Sequence, residues 1–187
     1  MERQTDEQLM QRVAKGDHRA FSVLVDRHMR RVVSVAQSIA RTRADADDIA
    51  QETFLRVWER PRLYDASQAR FTTWLHRVTV NLCIDRQRVR TPEPLDDVPE
   101  QPLDGASLVD LLYAAERRSA VSAALRELPV QQRTAIALFH MQGFSQREAA
   151  AIMELSEGAF ESLLQRGRRA LALVLGSAEG NGGEYGT

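Results

Sequence analysis

Cysteine is nearly absent. The 187-residue chain has one, Cys83, so no disulfide can form within it, and four scattered histidines lack the paired spacing of a zinc site. A reducing compartment without a structural metal is therefore expected. No apolar run approaches membrane-spanning length, and Met1 to Ala20 is polar and charged, without the apolar core of a signal peptide. These absences make a soluble, cytoplasmic chain the expectation, with no membrane insertion. Phosphate-cradling glycine loops, nucleophile–base pairs and metal-ligand clusters are also missing, and His28, His76 and His140 stand isolated. An enzyme is accordingly a remote reading, and no cofactor is expected. Strand-period alternation is absent too, while the 43% hydrophobic content suffices for one medium core or two small ones.

Excess charge is lacking overall, at a formal net of −1, but that total hides an asymmetry. Residues 1–90 carry 17 Lys/Arg against 12 Asp/Glu, residues 91–120 carry 2 against 7, and residues 121–187 carry 6 against 7. The stretch from Thr91 to Gly105 combines proline and acid with little to bury, which is linker chemistry and places a domain boundary. The glycine-rich end from Ser177 to Thr187 reads as a disordered tail.

Helical patterning fills the first half. Thr5 to Lys15 and a second start at Asp17 bring Leu9, Val13, Phe21, Leu24 and Val25 near helical repeats. Asp45 to Arg60 is the clearest helix, with acids at its positive end, a stripe of Ile49, Thr53, Phe54, Val57 and Trp58, and Pro61 as its stop. After a turn around Tyr64–Gln68, Phe71 to Arg90 is amphipathic and becomes basic. Here Tyr64, Phe71, Trp74 and His76 precede Arg77, Arg86, Arg88 and Arg90. Rings beside guanidinium groups suit nucleic acid with unstacked bases, at about 1–3 kcal/mol per stacked base. The alternative is that Phe71, Trp74 and Val78, spaced at three and four, are core.

A helix-turn-helix pattern spans Gly143–Leu171. Ser145 and Glu148 have capping-box spacing, Ser156 is placed to cap a second helix, and Ala149, Ala150, Ile152, Met153 and Leu155 face Phe160, Leu163, Leu164 and Leu171. The outward side of the second helix is polar and basic, which points to DNA; an ordinary antiparallel helix pair with a solvated arginine face is the plain alternative.

Four stretches then stand in a telling order: Asp45–Trp58, Phe71–Arg86, Leu128–Arg133 and Gly143–Met153. Together they resemble the extracytoplasmic-function sigma factors of bacteria. The resemblance implies an all-α fold of two small helical domains, a sigma-2 helical bundle over residues 1–90 and a sigma-4 helix-turn-helix domain over 119–176, joined by a flexible acidic linker over 91–118. It implies as partners core RNA polymerase, through the large-subunit clamp helices and the flap, promoter DNA and an anti-sigma factor. Asp48, Gln51, Glu52 and Arg56 would meet the clamp. Tyr64, Phe71, Trp74, Arg77, Asn81, Arg86, Arg88 and Arg90 would serve the minus-10 element, with Asn81 reading a flipped base and the last three arginines holding phosphates. Ser145, Glu157, Glu161, Ser162, Gln165, Arg166, Arg168 and Arg169 would serve the minus-35 element. Two residues depart from the family pattern: Phe160-Glu161 replaces a valine followed by a polar residue, and Glu154 stands where glycine is common. A duplex-binding helix-turn-helix regulator remains the competing reading, against which the separate aromatic-basic module and the acidic linker argue.

Overall fold

The computed structural model describes residues 4–90 and 117–180, and the side chains within 4–88 and 121–176. All regular structure among these residues is helical. The acidic linker expected over 91–118 lies outside them, except that Arg117 and Arg118 already open a helix.

Local signals set the first helices. Thr5 starts α1 (Asp6–Val13) with a capping box: its hydroxyl accepts from the Gln8 amide at 3.2 Å while Gln8 Oε1 accepts from the Thr5 amide at 2.9 Å. Gly16, at φ +82°, makes the turn that an L side chain would resist. Asp17 then caps α2 (His18–Ile39), accepting from the Arg19 and Ala20 amides at 3.0 and 3.1 Å.

Thr42 caps α3 (Arg43–Glu59), so this helix begins two residues before the acids read as its start. The Thr42 hydroxyl accepts from the Asp45 amide and donates to the Asp45 carboxylate at 2.7 Å, which draws Asp45 inside the first turn. Pro61 ends α3 as expected and opens a single 3-10 turn, Pro61–Leu63. Helix α4 spans Phe71–Arg90, matching the amphipathic run. Leu9, Leu24, Val32, Phe54, Val57 and Leu75 join these four helices in one core.

The second unit contains α5 (Arg117–Glu127), α6 (Val130–Ile136), a π turn (Ala137–Met141), α7 (Gln146–Met153) and α8 (Glu157–Gly180). Expected disorder from Ser177 is corrected in part: α8 continues to Gly180, through alanine and glutamate that favour helix, while 181–187 lie outside the described residues. Helix crossing explains Gly167. A Cβ there would stand 3.1 Å from both the Gln132 carbonyl oxygen and Ile136 Cδ1, so α8 and α6 approach closely only at glycine.

The two units pack against each other. A second hydrophobic cluster runs from Val35, Ile39, Ile49, Val80 and Cys83 of the first into Leu125, Leu128, Ile136, Leu138 and Ile152 of the second. Apolar burial between the units thus holds the described chain in one packed arrangement.

Candidate nucleic-acid interface

Helix α3 presents a polar face over a buried stripe. Ile49, Phe54 and Val57 are buried, whereas Asp48 and Gln51 are exposed. Glu52 and Arg56 pair along the helix at 3.1 Å, an exposed contact of a few tenths of a kcal/mol that organises the face more than it stabilises it. Beside them lies an open apolar groove of about 410 Å³ between α2 and α3, walled by Phe21, Val25, Met29, Val33 and Leu55, with Asp47 and Gln51 among its lining. The sequence reading missed this groove. Its signal is the four-residue spacing of positions 21, 25, 29 and 33, a second apolar row beside the core row of Ala20, Leu24, Val32 and Val35.

The aromatic cluster ahead of α4 is real, but its parts divide. Tyr64 lies edge-on to Phe71, with centroids 5.7 Å apart, and 5.4 Å from Trp74. Phe71 is 0% exposed and also meets the His28 ring, so its expected role as a stacking face is corrected: it belongs to the core and supports Tyr64 and Trp74 from behind. Trp74 and Tyr64 stay half-buried. The buried Tyr64 hydroxyl has no hydrogen-bond partner, and desolvation, then Glu7, Asp6 and Asp65, raise its pKa. Beneath it the loop is ordered by Asp65, whose carboxylate accepts from the Ser67 amide and hydroxyl at 2.8 and 2.7 Å; these bonds lower its pKa.

Along α4 the polar residues are differently engaged. Arg77 donates to the Ala151 carbonyl at 3.1 Å and pairs with Glu154 at 3.2 Å, so in this arrangement the helix-turn-helix holds it. Asn81 is half-buried, and Arg88 is exposed. Arg86 bridges to α3, reaching Asp45 at 3.3 Å and Asp48 at 2.8 Å, which couples the basic helix to the polar face of α3. Arg90 closes α4, and its side chain lies outside the described residues.

The helix-turn-helix is built by its caps. Ser145 Oγ accepts from the Glu148 amide at 3.2 Å, and Glu148 accepts from the Ser145 amide at 2.9 Å, completing the expected capping box. Ser145 Oγ also donates to the Glu148 carboxylate at 2.7 Å, and this bond first, then the one from the Ser145 amide, holds the Glu148 pKa below its ordinary value. Glu154 ends α7 in the left-handed region at φ 57°, where glycine would sit without strain. Ser156 then accepts from the Ala159 amide at 3.2 Å as α8 begins. Leu155, expected inward, is 36% exposed because the turn swings it off the packed face.

On α8, Glu157, Glu161, Ser162, Gln165 and Arg166 are exposed along the first turns, Arg169 is half-buried, and Ser162 donates to the Gly158 carbonyl at 3.0 Å. Arg168 departs from the outward minus-35 surface expected of it. Its guanidinium donates to His140 Nε2 at 3.1 Å and lies 5.7 Å from the Phe139 ring centroid, turned towards the π turn. Burial, then the Arg168 charge, lower the His140 pKa, which keeps its ring an acceptor. No cluster of metal-ligating side chains occurs among the described residues.

Comparison with known proteins gives the geometry its context. Residues 24–92 match the sigma-70 region 2 family, and residues 118–171 match the sigma-70 region 4 family. The ECF RNA polymerase sigma factor SigM of Mycobacterium tuberculosis (strain ATCC 35801 / TMC 107 / Erdman) is 37% identical over 180 residues, covering 94% of this chain and 86% of that protein. The ECF RNA polymerase sigma-E factor of Escherichia coli (strain K12) is 30% identical over 181 residues, covering 91% of this chain and 94% of that protein. Among solved structures, CnrH in complex with the cytosolic domain of CnrY has a TM-score of 0.65 at 30% identity, covering 92% of this chain and 97% of that one.

Proposed function

The chain belongs to the ECF sigma factors of the sigma-70 family, and from that premise we propose how its two helical units divide the work of starting transcription. It is an initiation factor and not an enzyme: it binds core RNA polymerase, recognises the minus-35 and minus-10 promoter elements and promotes melting between duplex and open complex. The observation that carries this reading is the order, on one chain, of an aromatic-basic helix in region 2 and a doubly capped helix-turn-helix in region 4.

Residues 1–90 form the polymerase-binding and minus-10 unit, 91–118 the linker, and 119–176 the minus-35 unit. On α3, Asp48, Gln51, Glu52 and Arg56 meet the clamp helices of the large subunit, and the neighbouring apolar groove adds a desolvated centre to that polar rim. Region 4 meets the flap. Tyr64 and Trp74 supply the faces for an unstacked minus-10 base, Asn81 reads a base edge, and Arg77, Arg86, Arg88 and Arg90 hold backbone phosphate. Base stacking at about 1–3 kcal/mol per base is comparable to the cost of unstacking a step, so strand capture offsets melting.

The first turns of α8 enter the major groove, bringing Glu157, Glu161, Ser162, Gln165 and Arg166 towards base edges. Ser145 at the start of α7 and Arg169 face the adjoining backbone. Glu161 accepts from a cytosine amino group and repels phosphate, so it biases the minus-35 preference.

Likeness to CnrH, which is solved with the cytosolic domain of CnrY, supports control by a protein partner, and an anti-sigma factor is the partner that the family resemblance implies. Work on promoter DNA supports a cytoplasmic place, and among the described residues no helix is long and apolar enough to cross a membrane. Gel filtration with purified core polymerase tests the assignment of α3. The chain is expected to co-elute with core enzyme, and Gln51→Ala with Glu52→Ala to weaken that association at least tenfold; unchanged co-elution would remove α3 from the interface.

A further inference from the structure

A cleft of about 310 Å³ opens where the end of α2 and the start of α3 meet α5, α6 and the π turn. Four arginines line it, Arg41, Arg43, Arg126 and Arg133, and no acid among the described residues does. The whole chain carries 25 Lys/Arg against 26 Asp/Glu, so one sign of charge is concentrated here beyond what composition supplies. Ser38 and Ser122 add hydroxyls to the same wall.

Apolar packing fixes the floor. Leu125 is part of the hydrophobic cluster that runs across both units, and Ala40 packs against it, so the cleft keeps its shape without relying on any single polar contact. The arginines above that floor divide by burial. Arg133 is 2% exposed, and its guanidinium is placed by the Arg126 carbonyl, at 3.4 Å, and by the Gln87 side chain. Arg41, Arg43 and Arg126 are exposed and form no ion pair among the described residues. By contrast, Arg12, Arg56 and Arg86 each meet a carboxylate. The acid in the first turn of α3, Asp45, is already engaged by the Thr42 hydroxyl at 2.7 Å and by Arg86 at 3.3 Å. Thr42 and Arg43 also bring the N-terminal end of α3 into the lining, which adds the positive pole of a helix dipole.

Like charges around one cleft repel each other unless an anion sits among them, and guanidinium forks match phosphate oxygens two at a time. Three solvent-facing forks over a fourth, buried charge suit several linked phosphates better than one. The volume lies at the small end of ligand sites and has no room for a nucleic-acid duplex. We propose that this cleft binds a compact oligophosphate anion, held by Arg41 and Arg43 from the first unit and by Arg126 from the second, over the buried charge of Arg133. The site is separate from the promoter and polymerase surfaces assigned above, and it stands on the cleft alone.

Isothermal titration of the full chain with sodium tripolyphosphate, at fixed ionic strength, tests it. Saturable binding is expected, tighter than that of sulfate, with Arg41→Ala and Arg126→Ala each weakening it about three- to tenfold. Arg30→Ala is the control: Arg30 is exposed on α2 and outside the cleft, so its removal should leave the affinity unchanged. Tripolyphosphate should also raise the melting temperature of the wild type, and raise it less in a chain carrying both cleft substitutions. Absence of saturable binding, equal affinity for sulfate, or a loss in Arg30→Ala as large as in the cleft variants would overturn the site.

Discussion

Gly167→Ala isolates the close approach that positions α8. Alanine in place of a helical glycine stabilises by about 0.4–1 kcal/mol where the site is open, by restricting the unfolded chain. At Gly167 the added Cβ would meet the Gln132 carbonyl oxygen and Ile136 Cδ1, both at 3.1 Å, and Gln132 Cβ at 3.3 Å. One of these is backbone, so relief requires moving α8 away from α6. Overpacking of this kind costs about 1–3 kcal/mol, leaving a net loss of about 1 kcal/mol and a melting point about 2–4 °C lower. Gly158, near the start of α8, supplies the control, since nothing lies within 4 Å of its Cβ position. Thermal unfolding followed by circular dichroism at 222 nm should show Gly158→Ala raised by a degree or two and Gly167→Ala lowered. Equal stabilisation by both would refute the close approach.

Three further outcomes are expected. Ser145→Ala removes the hydroxyl half of the α7 capping box and should cost about 1 kcal/mol in urea unfolding, with the pH dependence near the carboxylate range reduced, because Glu148 loses the larger of the two bonds that hold its pKa down and keeps only the one from the backbone amide. His76 is pushed down to about 4 by burial first, then by Arg31 and His28. The unfolded imidazole takes its proton near 6.5, so between that pH and about 4 the unfolded state binds more protons and stability falls as the solution is acidified. His76→Gln should flatten that fall in urea titrations at pH 7, 6 and 5. Arg88→Ala should weaken open-complex formation and reduce the salt slope by about 0.9, the share of one phosphate contact, whereas Arg86→Ala should also loosen α3 from α4 because Arg86 bridges to Asp45 and Asp48.

What could be read from the sequence was local. Thr5, Asp17, Ser145 and Ser156 act as caps because an oxygen and an amide a few residues apart meet whenever the helix forms, and the Phe71–Arg90 run keeps its helical period to its end. Long-range choices left no such trace. Phe71 and Trp74 carry the same local pattern, yet one is fully buried and the other half-exposed, and that depends on where His28 and Tyr64 arrive. Arg168 looked like its neighbours Arg166 and Arg169 until the π turn brought His140 to it. Arg31 and Gln142 meet across 111 residues of chain, and nothing in either segment alone announces the contact. The departure at Glu154 was visible, but its meaning required Arg77 beside it.

Multi-round transcription from fragmented genomic DNA of the source organism, using purified core RNA polymerase with and without this chain, asks whether the chain directs initiation at its own promoters. New discrete transcripts are expected, starting downstream of shared minus-35 and minus-10 elements and disappearing with Trp74→Ala. Absence of chain-dependent transcripts, together with failure to co-elute with core enzyme, would contradict that role.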